Sequence, residues 1–127
     1  MKTIVIDSNA LVAIVDLRDT WHAKATELIQ RITQQQQVNL VYFDCVLNET
    51  LSVLGRRLEE QKRSHEFIGL VGRLRMLIPD DAILWVSLDI KRLYPDILAL
   101  LQETSGKLNF HDALIALKCL NCALMRC

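Results

Sequence analysis

Three acidic residues stand at the borders of apolar segments: Asp7 after Ile4-Val5-Ile6, Glu49 between Leu47 and Leu51, and Asp112 in Asn109-Phe110-His111-Asp112-Ala113. A charge at such a border costs free energy unless something compensates it. The three are spread along nearly the whole chain, so only the fold can gather them. A hard divalent cation, which takes carboxylate oxygens, is the simplest reason to collect such a set. The chemistry this points to is phosphodiester hydrolysis dependent on magnesium or manganese.

Each acid also has a purely structural use open to it. Asp7 is placed to cap a first helix, Glu49 to sit solvated near a helix start, and Asp112 to form a capping box with Asn109. Ser8 and Asn9 offer capping side chains of their own, which releases Asp7 for a metal. Asp112 is adjacent to His111, which is expected on a different side of the helix and is not needed as a base.

The elements that must position these residues alternate. Residues 2–6 read as a buried strand, followed by a helix through Ala10-Leu11-Val12-Ala13-Ile14. Residues 20–33 form a helix with Trp21, Ala25, Leu28, Ile29 and Ile32 on one face. The glutamines at 34–37 are a loop, and residues 38–43 the second strand. Asp44 caps a helix with Leu47, Leu51, Leu54 and Leu58 inward. Ser64 opens another, with the stripe Phe67, Leu70, Val71, Leu74 and Leu77. Residues 82–86 are a third strand. A helix over 89–103 must accommodate Pro95 at its start or by a kink, and Gly106 ends it. A last helix covers 110–120. Strands alternating with helices predict an α/β domain with a short, mostly parallel sheet, ligands gathering beyond the strands' carboxyl ends.

The chain of 127 residues is expected to form one domain with a real core. Hydrophobic residues make up 51%, which excludes disorder. Fifteen basic and fifteen acidic side chains cancel, so any nucleic-acid contact must come from a local patch. No apolar run reaches membrane-spanning length, and Asp7 interrupts the N-terminus too early for a signal peptide, so a cytoplasmic protein is expected. Cys119, Cys122 and Cys127 include a Cys-x-x-Cys spacing but lack a fourth ligand nearby; with Cys45 they read as reduced thiols rather than a zinc site.

Several stretches together resemble PIN-domain proteins, most closely the VapC-like toxins of bacterial and archaeal toxin–antitoxin pairs. They are Ile4-Val5-Ile6-Asp7-Ser8-Asn9 with Leu11-Val12-Ala13, Trp21-His22, Val46-Leu47-Asn48-Glu49-Thr50-Leu51, and Lys107-Leu108-Asn109-Phe110-His111-Asp112-Ala113-Leu114-Ile115-Ala116. The resemblance implies a three-layer α/β/α fold and hydrolysis of RNA with Mg2+ or Mn2+. It makes Asp7, Glu49 and Asp112 the catalytic and metal-binding acids, with Asn9 supporting the site by hydrogen bonding. A homodimer and a cognate antitoxin are implied as well. The family pattern continues after the last helix through a turn and a strand to a fourth acid. Here Asn121 and residues 122–125 fit the turn and strand, but the chain stops at Arg126-Cys127 where that acid is due, so the fourth acidic segment is expected to be missing.

Phosphate contacts are expected from the basic residues after Glu49: Arg56, Arg57, Lys62 and Arg63, then Arg73 and Arg75, with Arg56 and Arg57 the nucleic-acid candidates. The reading with most support is a metal-dependent endoribonuclease. The alternative is a catalytically impaired PIN-like module that binds RNA or a protein partner, which rests on the missing fourth acid. A phosphatase or response-regulator-like domain is disfavoured, because Asp7 has no acidic neighbour and the third strand leads to Ser87 and Leu88 rather than to an Asp.

Overall fold

A computed structural model of the chain describes residues 2–35 and 37–121. The chain divides into two compact units, Met1–Leu84 and Trp85–Cys127.

The first unit is built on three strands, β1 (Lys2–Val5), β2 (Val38–Phe43) and β3 (Ile83–Leu84), in the order β1-β2-β3. Both pairings are parallel: Lys2 to Val5 sit opposite Val38 to Val41, and Tyr42 and Phe43 opposite Ile83 and Leu84. Parallel neighbours need a crossover rather than a hairpin. The first crossover is α1 (Ser8–Val15) and α2 (His22–Gln34); the second is α3 (Asp44–Glu60), a 3-10 turn at Ser64–Glu66, and α4 (Phe67–Leu77). The core takes Leu11, Val12 and Val15 from α1, Phe43 from β2, and Leu54 and Leu58 from α3, all almost wholly buried.

The second unit holds a 3-10 turn (Ser87–Asp89), α5 (Ile90–Glu103) and α6 (Phe110–Asn121), with α5 and α6 packed together. Lys118 on α6 is ion-paired with Asp89, which holds the Asp89 carboxyl below its ordinary range. Pro95 lies inside α5, not at its start, so Lys91 loses the helical N–H its carbonyl would receive. The helix ends as a Schellman turn. Gly106 N–H donates to Leu101 O (2.9 Å) and Ser105 N–H to Gln102 O (3.1 Å), with Ser105 in the left-handed region at φ 54°.

This is the predicted α/β class: mostly helical, with a short all-parallel sheet of three strands, consistent with a three-layer α/β/α plan. The local differences have local causes. The third strand is only Ile83–Leu84, because Pro79 leads into a 3-10 turn at Asp80–Ala82 and a second turn follows at Ser87–Asp89. The second helix starts at His22 rather than Thr20, since Asp19 accepts the Trp21 N–H through Oδ1 (2.8 Å) and holds residues 19–22 in a turn. Its predicted inward face does not close. No residue of α2 is buried, and Trp21 (60% exposed) and Leu28 (57%) face solvent, Lys24 lying over the Trp21 ring. Asp44 does not cap α3 but is its first residue, because β2 runs to Phe43 and the helix begins at once.

One buried ion cluster ties the far end of α1 to the loop after α3. Asp16, 4% exposed, receives Arg63 Nη2 at Oδ1 (2.8 Å) and Nη1 at Oδ2 (3.2 Å). The same guanidinium reaches Glu66 through Nε (2.8 Å) and Gln61 through Nη1 (2.6 Å). Arg73 adds positive charge at this helix end by donating to the Val15 carbonyl (3.1 Å). The Arg63 hydrogen bonds pull the Asp16 pKa below its ordinary value, against burial, which pushes it up. A carboxyl with a depressed folded pKa contributes stability above its unfolded pKa, and that contribution is lost as pH falls through the folded pKa. Thus Asp16→Asn is expected to cost about 3 kcal/mol at neutral pH. In urea unfolding the gap between variant and parent should close as pH drops below about 4.

Candidate functional site

The parallel register decides where the acids go. Ile6 N–H donates to Val41 O (3.1 Å), carrying the β1–β2 pairing one step past Val5. Asp7 therefore leaves β1 at the carboxyl edge of the sheet, and Asp44 leaves β2 at the same edge. α1 begins at Ser8 and α3 at Asp44, so two helix N-termini open at this edge, each carrying partial positive charge. Asp7 is exposed there; Glu49, sixth in α3, is exposed on the second turn of its helix.

Asp7 is not released from capping. It is the N-cap of α1, in extended backbone (φ −86°, ψ 161°), and its Oδ1 accepts the Ser8 N–H at 2.7 Å. Ser8, which sequence reasoning assigned as a cap, is instead the first residue of the helix and buried. The expectation fails because only Ile6 and Asp7 lie between the end of β1 at Val5 and the helix start at Ser8, which puts Asp7 in the N-cap position. The cap uses one oxygen; among the described residues Oδ2 makes no hydrogen bond. Asn9 is the second residue of α1, with its side chain exposed.

Asp112 is the third residue of α6, in the second unit. Its backbone N–H donates to Asn109 Oδ1 (2.8 Å), so half of the anticipated capping box forms, and the carboxylate stays exposed in the positive first turn. Among the described residues no group of three or more His, Cys, Asp or Glu side chains stands together as a metal cage. The pair on the first unit still suits a hard cation by its chemistry. Magnesium is ordinarily held by one or two carboxylates, with water and substrate phosphate completing the shell. Asp7, at the N-terminus of α1, and Glu49, in the second turn of α3, are exposed oxygen donors carried by helices that leave the same edge of the sheet.

The basic residues sort differently from the sequence expectation. Arg63 is consumed by Asp16 and Glu66 and is buried. Arg57 is tied by Nη1 to Asp19 Oδ2 (2.7 Å), and Arg73 to α1 carbonyls. Arg56 is exposed and engages no described partner. Sequence reasoning missed Asp16 and Asp19 as the arginines' partners; the one available signal was two acids immediately following the apolar run of α1. His111 is exposed, its ring edge-on to Phe110. Cys45 is buried in the first turn of α3, and burial with the Asp44 charge pushes its thiol up to about 11, so it is an unreactive packing group. Cys119 is half-buried on α6; Cys122, Cys127 and the turn and strand anticipated at 122–125 lie outside the described residues.

A groove of about 910 Å³ in the first unit runs along α4 from Gly69 to Met76 and is flanked by Asp80 and Asp81. It contains none of the predicted acids; Asp7, Glu49 and Asp112 are each exposed.

Compared with known proteins, the sequence matches the PIN domain family over residues 4–122. No curated protein and no solved structure matches it. No helix among the described residues is long and apolar enough to cross a membrane.

The cap geometry sets an expectation for Asp7 that is independent of activity. Asp7→Asn keeps an acceptor for the Ser8 N–H and should leave the thermal midpoint nearly unchanged. Asp7→Ala removes it and should cost about 1 kcal/mol in chemical unfolding.

Proposed function

The chain belongs to the PIN domain family, and from that membership we propose that it is an endoribonuclease hydrolysing RNA phosphodiester bonds with Mg2+ or Mn2+. Family membership supports nuclease chemistry on nucleic acid with a divalent ion; the RNA substrate, the ion and the residues are this reading's own. The observation that carries it is the flush carboxyl edge of β1 and β2, which brings Asp7 and the Glu49 helix out side by side.

In this reading Asp7 and Glu49 hold the ion from the first unit, and Asp112 is the third acid. When bound, the ion supplies positive charge for the scissile phosphate and acidifies the attacking water. The chain's own groups do the rest. The Ser8 N–H fixes the Asp7 carboxylate by its bond to Oδ1 and leaves Oδ2 for the ion. The N-termini of α1 and α3 lower the cost of gathering negative charge at the edge. Asn9, two residues after Asp7, makes no hydrogen bond to the carboxylate in the structure; its exposed side chain would support the site by hydrogen bonding once ion and substrate are bound. No histidine serves as the base, because the acidified water needs none.

The similarity to VapC-like toxins supports a narrower version: a cytoplasmic toxin ribonuclease, homodimeric, held inactive by a cognate antitoxin. The single-domain organisation belongs to the same proposal.

Incubation of end-labelled RNA with the chain in manganese tests the reading. The parent should cut internally, a chelator should abolish the cutting, and Asp7→Asn and Glu49→Gln should each lower the rate by on the order of a hundredfold or more. A parent that leaves RNA intact in both manganese and magnesium contradicts it.

A further inference from the structure

We propose that Arg56 grips the RNA backbone beside the acidic edge, at a phosphate other than the one being cut; this rests on the ribonuclease reading above. Glu49 and Arg56 lie seven positions apart on α3, so at about 100° per residue their side chains leave the helix within about 20° of each other. Both are exposed, and Ser52, also exposed, lies on the stripe between them. Seven residues rise about 10.5 Å along the axis. A strand whose scissile phosphate is at Glu49 therefore meets Arg56 farther along its backbone and not at the reacting group.

Three of the other arginines are already committed, while Lys62, past the end of α3, and Arg75, on α4, are exposed but lie off the helix that carries Glu49. Arg57 leaves the helix about 100° away and is spent on Asp19 (2.7 Å), whose side chain is 8% exposed. Arg63 is buried between Asp16 and Glu66. Arg73 donates to the Val15 and Ile14 carbonyls that end α1. Arg56 has no ion pair or hydrogen bond among the described residues, so its guanidinium reaches a phosphate without breaking anything. A planar guanidinium pairs with phosphate oxygens through two parallel N–H bonds and does not depend on the base. The chain as a whole has no net charge, with 15 basic and 15 acidic residues, so one uncommitted arginine on the right face weighs more here than it does on a basic protein.

The test measures binding of single-stranded RNA oligomers of unrelated sequence across a salt series, in the Asp7→Asn background so that the strand is not cut. Each phosphate contact contributes about 0.7 to the slope of log K against log salt for single strands. Arg56→Gln should lower that slope by about 0.7 and weaken binding to every oligomer alike, with the thermal midpoint unchanged. Arg57→Gln should leave the slope as it is and lower the thermal midpoint through loss of Asp19. An unchanged slope in Arg56→Gln overturns the assignment. If the parent still cuts RNA in that case, Arg56 alone is wrong. A chain that neither binds nor cuts RNA overturns the assignment and the ribonuclease reading together.

Discussion

Pairing Lys2–Val5 in parallel with Val38–Phe43 constrains nearly everything else in the first unit. A parallel neighbour cannot be reached by a tight turn, so the chain must leave β1 at its carboxyl end and travel back before β2 begins. α1 and α2 are that return, and α1 starts on the residue after Asp7. β2 then ends on the same edge and releases α3 at once. Two consequences follow without further tuning. The acid that terminates β1 and the acid in the second turn of α3 emerge on one side of the sheet. Two helix N-termini emerge with them, which lowers the cost of holding negative charge there. The shared edge is thus a product of topology, while the candidate site on it depends on which side chains occupy a handful of boundary positions.

The opposite end of α1 needs a different solution. Its last carbonyls, Ile14 and Val15, receive Arg73, and the carboxylate that follows, Asp16, receives Arg63 in a two-pronged pair. A buried ion pair gains little over an apolar pair of the same shape, but loss of one partner leaves a stranded charge. Arg63 is satisfied on several sides, by Asp16, Glu66 and Gln61, so its desolvation is offset by charge-assisted bonds. The cluster fixes where the loop after α3 meets α1, and with it the pitch of the helix that carries Glu49 and Arg56. Charges that look alike along the sequence therefore divide into those that hold the fold, such as Arg63, and those, such as Arg56, that engage no described partner.

The sequence makes α3, α4 and β2 legible because each buries an apolar stripe: Leu54 and Leu58 for α3, Leu70 and Leu74 for α4, Val41 and Phe43 for β2. It also makes the three boundary acids legible, since a carboxylate next to Ile6, Leu47 or Ala113 is conspicuous on composition alone. What it hides are choices made between distant residues. Nothing local shows that Arg63 will be buried by Asp16, 47 positions away, or that Arg57 will be held by Asp19. Nor does periodicity distinguish a face that finds a partner from one that does not. The Trp21 and Leu28 stripe of α2 has the right spacing for a core and stays in solvent. Capping was misjudged for a simpler reason: Ser8 and Asp7 both suit the position, and only the end of β1 decides between them.

The central claim is that Asp7 and Glu49 serve one metal ion at the edge shared by β1 and β2. Titration of Mn2+ into the isotope-labelled chain, followed by paramagnetic broadening of backbone amide signals, tests it most directly. The account predicts that, at substoichiometric manganese, the amides of Ser8 and Asn9 and those flanking Glu49 broaden together, and that Asp7→Asn abolishes both effects at once. Broadening centred instead on Asp80 and Asp81, or confined to one of the two predicted segments, would contradict it.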